Sequence, residues 1–182
     1  MNLNRKVKIW CFLGFFAILL LGFLFHFVFE WTNRSAIVGI FVPVNESVWE
    51  HLKLGFWGLI VFSGIEYWSI GKQVNNYFIS KGTGALILSI TILVFYYSYT
   101  SLIGKNMLFL DIASFIIGTL FCQLSVYKLY KRKPLHNVVN VIGMVLLILM
   151  AITFAFLTYF PPHTNLFKDA TNNTYGIKME TQ

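Results

Sequence analysis

Charge is what this chain has least of. Only 12% of its 182 residues are Asp, Glu, Lys or Arg, roughly half the share in a soluble domain. Cysteine is scarcer still, with two residues, and proline numbers four. Cys11 and Cys122 each sit inside an apolar stretch with no CxxC neighbour and no metal-ligand spacing. That excludes a disulfide scaffold and a thiolate zinc module. No HExxH, serine-centred motif or histidine triad occurs, which removes the common hydrolase signatures. What the chain does have is apolar: 57% of it is hydrophobic and 18% aromatic. A domain this size leaves much of its area facing water, so that much apolar surface needs lipid to cover it. A disordered chain and an ordinary soluble enzyme are both excluded; an integral membrane protein is expected.

A hydrocarbon core about 30 Å thick needs roughly 20 apolar residues in helix. Five segments meet that length, approximately 9–31, 52–70, 82–103, 107–127 and 138–160. Helix is required because unpaired backbone groups are not tolerated in hydrocarbon, and the alternation of a barrel strand is absent. The expected fold is therefore an all-α, polytopic transmembrane helix bundle, one domain over residues 1–182 with a short polar tail at 161–182. The first span follows Arg5, Lys6 and Lys8 like a signal peptide, but its apolar run is too long and lacks a small-residue cleavage site, so it reads as a retained anchor. Residues 36–44 form an apolar stretch too short to span, ending at Pro43; it reads as interfacial or re-entrant.

Basic residues orient such a chain. Arg5, Lys6, Lys8, Lys72, Lys81, Lys128, Lys131, Arg132 and Lys133 fall on one side of the five spans, against Arg34, Lys105, Lys168 and Lys178 on the other. Nine against four places the N-terminus inside and the C-terminus outside. The formal charge of +7 thus reflects orientation and not nucleic-acid binding. The expected partners are the lipid bilayer and a second copy or another membrane protein.

Most acidic and histidine residues then collect at the outer face, with Asn45 beside them: His26, Glu30, Asn45, Glu46, Glu50, His51, Asp111, His163 and Asp169. Such groups are costly within spans, so they turn inward and pair. His26 and Glu30 share an i, i+4 spacing, as do Glu46 and Glu50, which puts each pair on one helix face. Two like charges one turn apart need compensation from Lys53, a bound cation or a proton. Asn45 is suited to cap the second helix, with Glu46 in its first turn. Asp111 is expected to pair with Lys105 or Lys53, and Ser114, Gly118, Cys122 and Ser125 form a small-residue packing stripe. Past Pro161-Pro162, Leu166-Phe167 can tuck back and bring His163 and Asp169 over the outer mouth.

The run Pro43-Val44-Asn45-Glu46-Ser47-Val48-Trp49-Glu50-His51-Leu52-Lys53, with Pro161-Pro162-His163, Leu166-Phe167-Lys168-Asp169 and Tyr175-Gly176, resembles an uncharacterised family of small multi-pass bacterial membrane proteins. The resemblance implies a bacterial plasma-membrane protein and adds no mechanism.

Three functions are compatible with these residues. One is a membrane protein of unassigned activity whose acidic and histidine cluster binds a ligand or partner. Another is a metal-dependent enzyme acting on a lipid or envelope substrate, with Glu50, His51 and His26 as ligands of a divalent ion such as zinc. The last is a small proton- or ion-linked transporter using His26, Glu30, Glu66 and Asp111.

Overall fold

The computed structural model describes residues 2–177. Lys178, counted above among the outer basic residues, lies outside them. Helix α1 runs Leu3–Trp31, α2 Ala36–Gly39, α3 Val48–Glu66, α4 Tyr77–Ile103, α5 Leu108–Tyr130 and α6 Asn137–Tyr159. Helix α3 continues into a π-helical turn, Tyr67–Gly71. Among the described residues the sole β pairing is an isolated bridge between Lys168 and Tyr175, so the fold is all-α. Helices α1, α4, α5 and α6 are long and apolar enough to cross a membrane.

Local chemistry sets the ends. The Asn2 side chain accepts the Asn4 N–H at the start of α1, and His136 Nδ1 accepts the Val138 N–H at the start of α6. Asn76 precedes α4 in the left-handed region, φ 59°. From there its amide donates to the Leu129 and Lys133 carbonyls and accepts the Leu135 N–H, binding the start of α4 to the α5–α6 connection. Gly104, φ 77°, closes α4 in the left-handed conformation that glycine takes without strain. Pro161-Pro162 follows α6 and cannot continue it. Within the helices, Thr91, Thr153 and Ser125 return their hydroxyls to carbonyls one turn back, which keeps those groups satisfied against lipid.

Helix α3 is the most buried of the long helices. Twelve of its 19 residues are buried, against three of 23 in α6. The outer helices are the most apolar, whereas α3, which carries Glu50, Lys53 and Glu66, falls short of the apolarity of the other four. Ionisable side chains thus go inward and apolar ones outward, the sorting expected of helices long and apolar enough to cross a membrane. Trp10 packs on Phe62 and His26 on His51, so α1 runs antiparallel to α3. Phe154 packs on Trp49 and Phe56, so α6 does as well. Glycines allow the close crossings. A Cβ at Gly58 would meet the Ile18 backbone at 3.3 Å, and one at Gly143 would overlap the backbone of Ile79.

The bundle thus has two ends. The start of α1, the π-turn and the α5–α6 connection carry Arg5, Lys6, Lys8, Lys72, Lys128, Lys131, Arg132 and Lys133. The opposite end has Arg34, Lys105 and Lys168 with Glu30, Glu46, Asp111 and Asp169. Lys81, counted as a loop residue from the sequence, is instead fully buried in α4, and Lys53 is fully buried in α3. Each faces a carboxylate in the interior, so neither is an orienting charge.

Candidate metal centre

At the acidic end the chain leaves α1, passes α2 and reverses through residues 40–47 into α3. Ser47, not Asn45, caps α3: its hydroxyl accepts the Glu50 N–H at 3.3 Å. Asn45 instead accepts the Ser47 N–H at 2.9 Å and donates to the Gly176 carbonyl at 3.0 Å, clasping the tail to this turn. The helix therefore begins at Val48, so Glu46 is not on it and the i, i+4 relation to Glu50 does not hold in space.

Glu46 turns toward the two histidines. One carboxylate oxygen lies 3.7 Å from His26 Nε2 and the other 3.4 Å from His51 Nε2. The imidazoles stack with centroids 5.4 Å apart and planes at 30°. His51 Nδ1 is 2.8 Å from the Ser47 carbonyl, an acceptor only, so Nδ1 carries a hydrogen and orients the ring. In neutral imidazole the lone pair then sits on Nε2, aimed at a carboxylate oxygen. That arrangement is repulsive unless a proton or a cation lies between them. The three donor atoms come within 4.8 Å of one another, and the three side chains are each about one-third to one-half exposed. The His51 contact chiefly holds the Glu46 carboxyl below its usual range.

A cavity of about 230 Å³ opens beside this group, lined by His26, Glu30, Glu46, Asp169, Asn172 and Thr174 among others. The tail forms its far wall. The Trp49 N–H donates to the Leu166 carbonyl at 3.0 Å, and the buried Phe167 ring packs on Trp49 at 4.9 Å. Asp169 stands at the rim, closed on its own turn: Thr171 donates from N–H and hydroxyl at 2.7 and 2.6 Å, and Asn172 Nδ2 at 2.9 Å. Burial pushes the Asp169 carboxyl up, but these donors and the Glu46 N–H outweigh it and hold the group below the usual range.

The other expected site residues do not join the three-residue cluster. Glu30 pairs with Arg34 at 3.1 Å on the exposed side of α1, not with His26. Glu50, expected beside the histidines, turns inward: its carboxylate meets Lys53 Nζ at 2.6 Å and accepts the Val44 N–H and the Thr158 hydroxyl at 3.0 Å each. Lys53 also donates to the Gly39 carbonyl at 2.7 Å and to Thr158 Oγ1 at 2.9 Å. All of its donors are thereby used, which is the condition for burying such a pair. Asp111 accepts from the Tyr99 hydroxyl at 2.5 Å, not from a lysine. His163 stacks on Tyr175, away from the cluster.

A second ion pair that sequence reasoning did not find lies at the basic end. Lys81 contacts Glu66, whose same oxygen accepts the Tyr130 hydroxyl at 3.1 Å. The available signal was a glutamate and a lysine intruding on consecutive apolar runs.

No curated protein and no solved structure matches this chain. A family profile does match, over residues 1–177. The chain belongs to that family, described as a family of unknown function (DUF6512).

Proposed function

We propose that this is a plasma-membrane protein of five spans whose His26–Glu46–His51 cluster binds a divalent metal ion such as zinc at the outer face. The observation that carries the metal reading is the His51 ring. Its Nδ1–H is committed to the Ser47 carbonyl, and its Nε2 converges with Glu46 and His26. Two imidazole nitrogens and one carboxylate form a ligand set suited to zinc, and three protein ligands leave a coordination position open. The adjoining cavity supplies that opening. This favours a site that takes a further ligand, and among enzyme readings a metal-bound water acting on a lipid or envelope substrate.

The five-span reading rests on α3. It runs antiparallel to α1 and α6 and holds contacts at both ends of the bundle, as a spanning helix sheathed by the others would. With Lys53 and Lys81 set aside, the basic residues still favour an inside N-terminus. The chain is then one domain of a bacterial plasma-membrane protein, with the acidic end outside.

Metal analysis of the purified protein tests the site. Wild type is expected to retain one equivalent of zinc after dialysis, and Glu46→Gln and His51→Ala to lose it with α-helical content intact. A metal-free wild type, or equal metal in all three, sinks the reading and leaves a protonated His51 paired with Glu46. Labelling intact cells with an impermeant maleimide tests the orientation. Lys105→Cys and Ala170→Cys are expected to react, and Gln73→Cys and Lys133→Cys to be protected; the reverse pattern refutes it.

A further inference from the structure

Away from the metal cluster, the interior between α1, α3, α4 and α5 contains polar atoms that protein alone does not satisfy. Lys81 and Glu66 are fully buried. The lysine ammonium lies 5.4–5.9 Å from the rings of Phe62, Tyr77 and Tyr130, an aromatic box that stabilises its charge but leaves N–H groups without an acceptor. The second oxygen of Glu66 has no hydrogen-bond partner in the chain, and neither do Ser63 Oγ, Thr119 Oγ1 or either amide atom of Gln123. These groups are no more than 8% exposed; Thr119 is fully buried and Gln123 is 4% exposed.

They lie on the inward faces of two helices. Ser63 and Glu66 are one turn apart on α3, and Thr119 and Gln123 one turn apart on α5. Gln123 Oε1 and the Phe62 ring both close on Gly14 of α1. Buried amides and hydroxyls are almost always paired. This many left dry would cost about as much as the whole net stability of a domain. The π-helical turn that follows Glu66 is a distortion that recurs at functional positions.

We propose that Gln123, Thr119, Ser63 and the unpaired oxygen of Glu66 hold internal water at successive levels of the bundle interior. The ligand is water, which solvates the Glu66–Lys81 pair one helical turn beneath the basic end. This site is independent of the metal cluster, which lies at the other end of α3. Two buried thiols report on it: Cys122 precedes Gln123 on α5, and Cys11 lies one turn before Gly14, on which Gln123 closes.

The test is X-ray radiolytic footprinting of the full-length protein in lipid nanodiscs with a bulk radical scavenger. Hydroxyl radicals made from water held inside the protein oxidise neighbouring side chains. Cys122 is expected to oxidise in wild type while remaining inert to maleimide, and this oxidation is lost in Gln123→Leu and reduced in Thr119→Val. An unoxidised Cys122 in wild type, oxidation unchanged in both variants, or maleimide reactivity in the folded protein each overturns the proposal. Thermal unfolding gives an independent reading on whichever variant folds. A hydrated Gln123 or Thr119 makes its apolar replacement lower Tm, whereas a dry, unsatisfied one makes the replacement neutral or stabilising.

Discussion

Replacing Lys53 with methionine would show how much of the acidic end depends on one interior charge. Methionine keeps the unbranched shape of the lysine stem and removes the ammonium. Glu50, 2% exposed, would keep the Val44 N–H and the Thr158 hydroxyl as donors but lose its counter-ion at 2.6 Å. Removing one partner of a buried ion pair costs about 3–5 kcal/mol, because the remaining charge is left uncompensated. The Gly39 carbonyl, which accepts from Lys53 at 2.7 Å, loses its partner too, adding about 1–3 kcal/mol if it stays dry. Glu50 can limit the total by taking up a proton. At roughly 2–4 °C per kcal/mol for a chain of this size, a loss near 4 kcal/mol lowers Tm by about 8–16 °C. The assay is thermal unfolding in nanodiscs of wild type, Lys53→Met, Glu50→Gln and the double variant. The double variant exchanges the pair for a neutral amide and a thioether, so it is expected to recover much of the loss. A single Lys53→Met costing under about 1 kcal/mol, or a double variant as poor as the sum of the singles, refutes the view that the pair is dry and mutually dependent.

Two other perturbations separate packing from electrostatics. Gly143→Leu places a side chain against the backbone of Ile79. It should force α6 off α4 at a cost of at least about 1–3 kcal/mol, read as a lower Tm. Acid should loosen the tail. Glu46 and Asp169 both have carboxyls held below their usual range, so each binds its proton more readily in the unfolded chain. Their contribution to stability is complete above the ordinary carboxylate range and is lost as pH falls through the lowered folded values. Tm should therefore drop on the acid side, and Asp169→Asn should flatten that drop; an unchanged acid slope in the variant contradicts the assignment.

The outer helices were legible because lipid leaves a one-dimensional record: an apolar run of sufficient length has few alternatives to helix. The starts of α1 and α4 were less so, because Arg5, Lys6 and the buried Lys81 carry the helix past its apolar run. The candidate site shows where one-dimensional reasoning fails. Asn45 and Ser47 are both good N-caps; Asn45 Oδ1 instead accepts the Ser47 N–H, while its Nδ2 is tied to the Gly176 carbonyl, a contact 131 residues away. That choice starts the helix at Val48 and leaves Glu46 in the turn, where it meets His26 and His51, while Glu50 enters the core. Had Asn45 been the cap, Glu46 and Glu50 would have been two like charges on one helix face. The sequence showed that repulsion but not its resolution, since Thr158, which completes the buried network, is a residue of the last helix. Lys81 is the same case at the other end. A lysine at the start of an apolar helix can reach water or bury against a carboxylate, and the difference is made by Glu66 and Tyr130 on two other helices. In a bundle with so few charges, pattern identifies the helices, and long-range pairing decides which ionisable groups are structural and which remain open to a ligand.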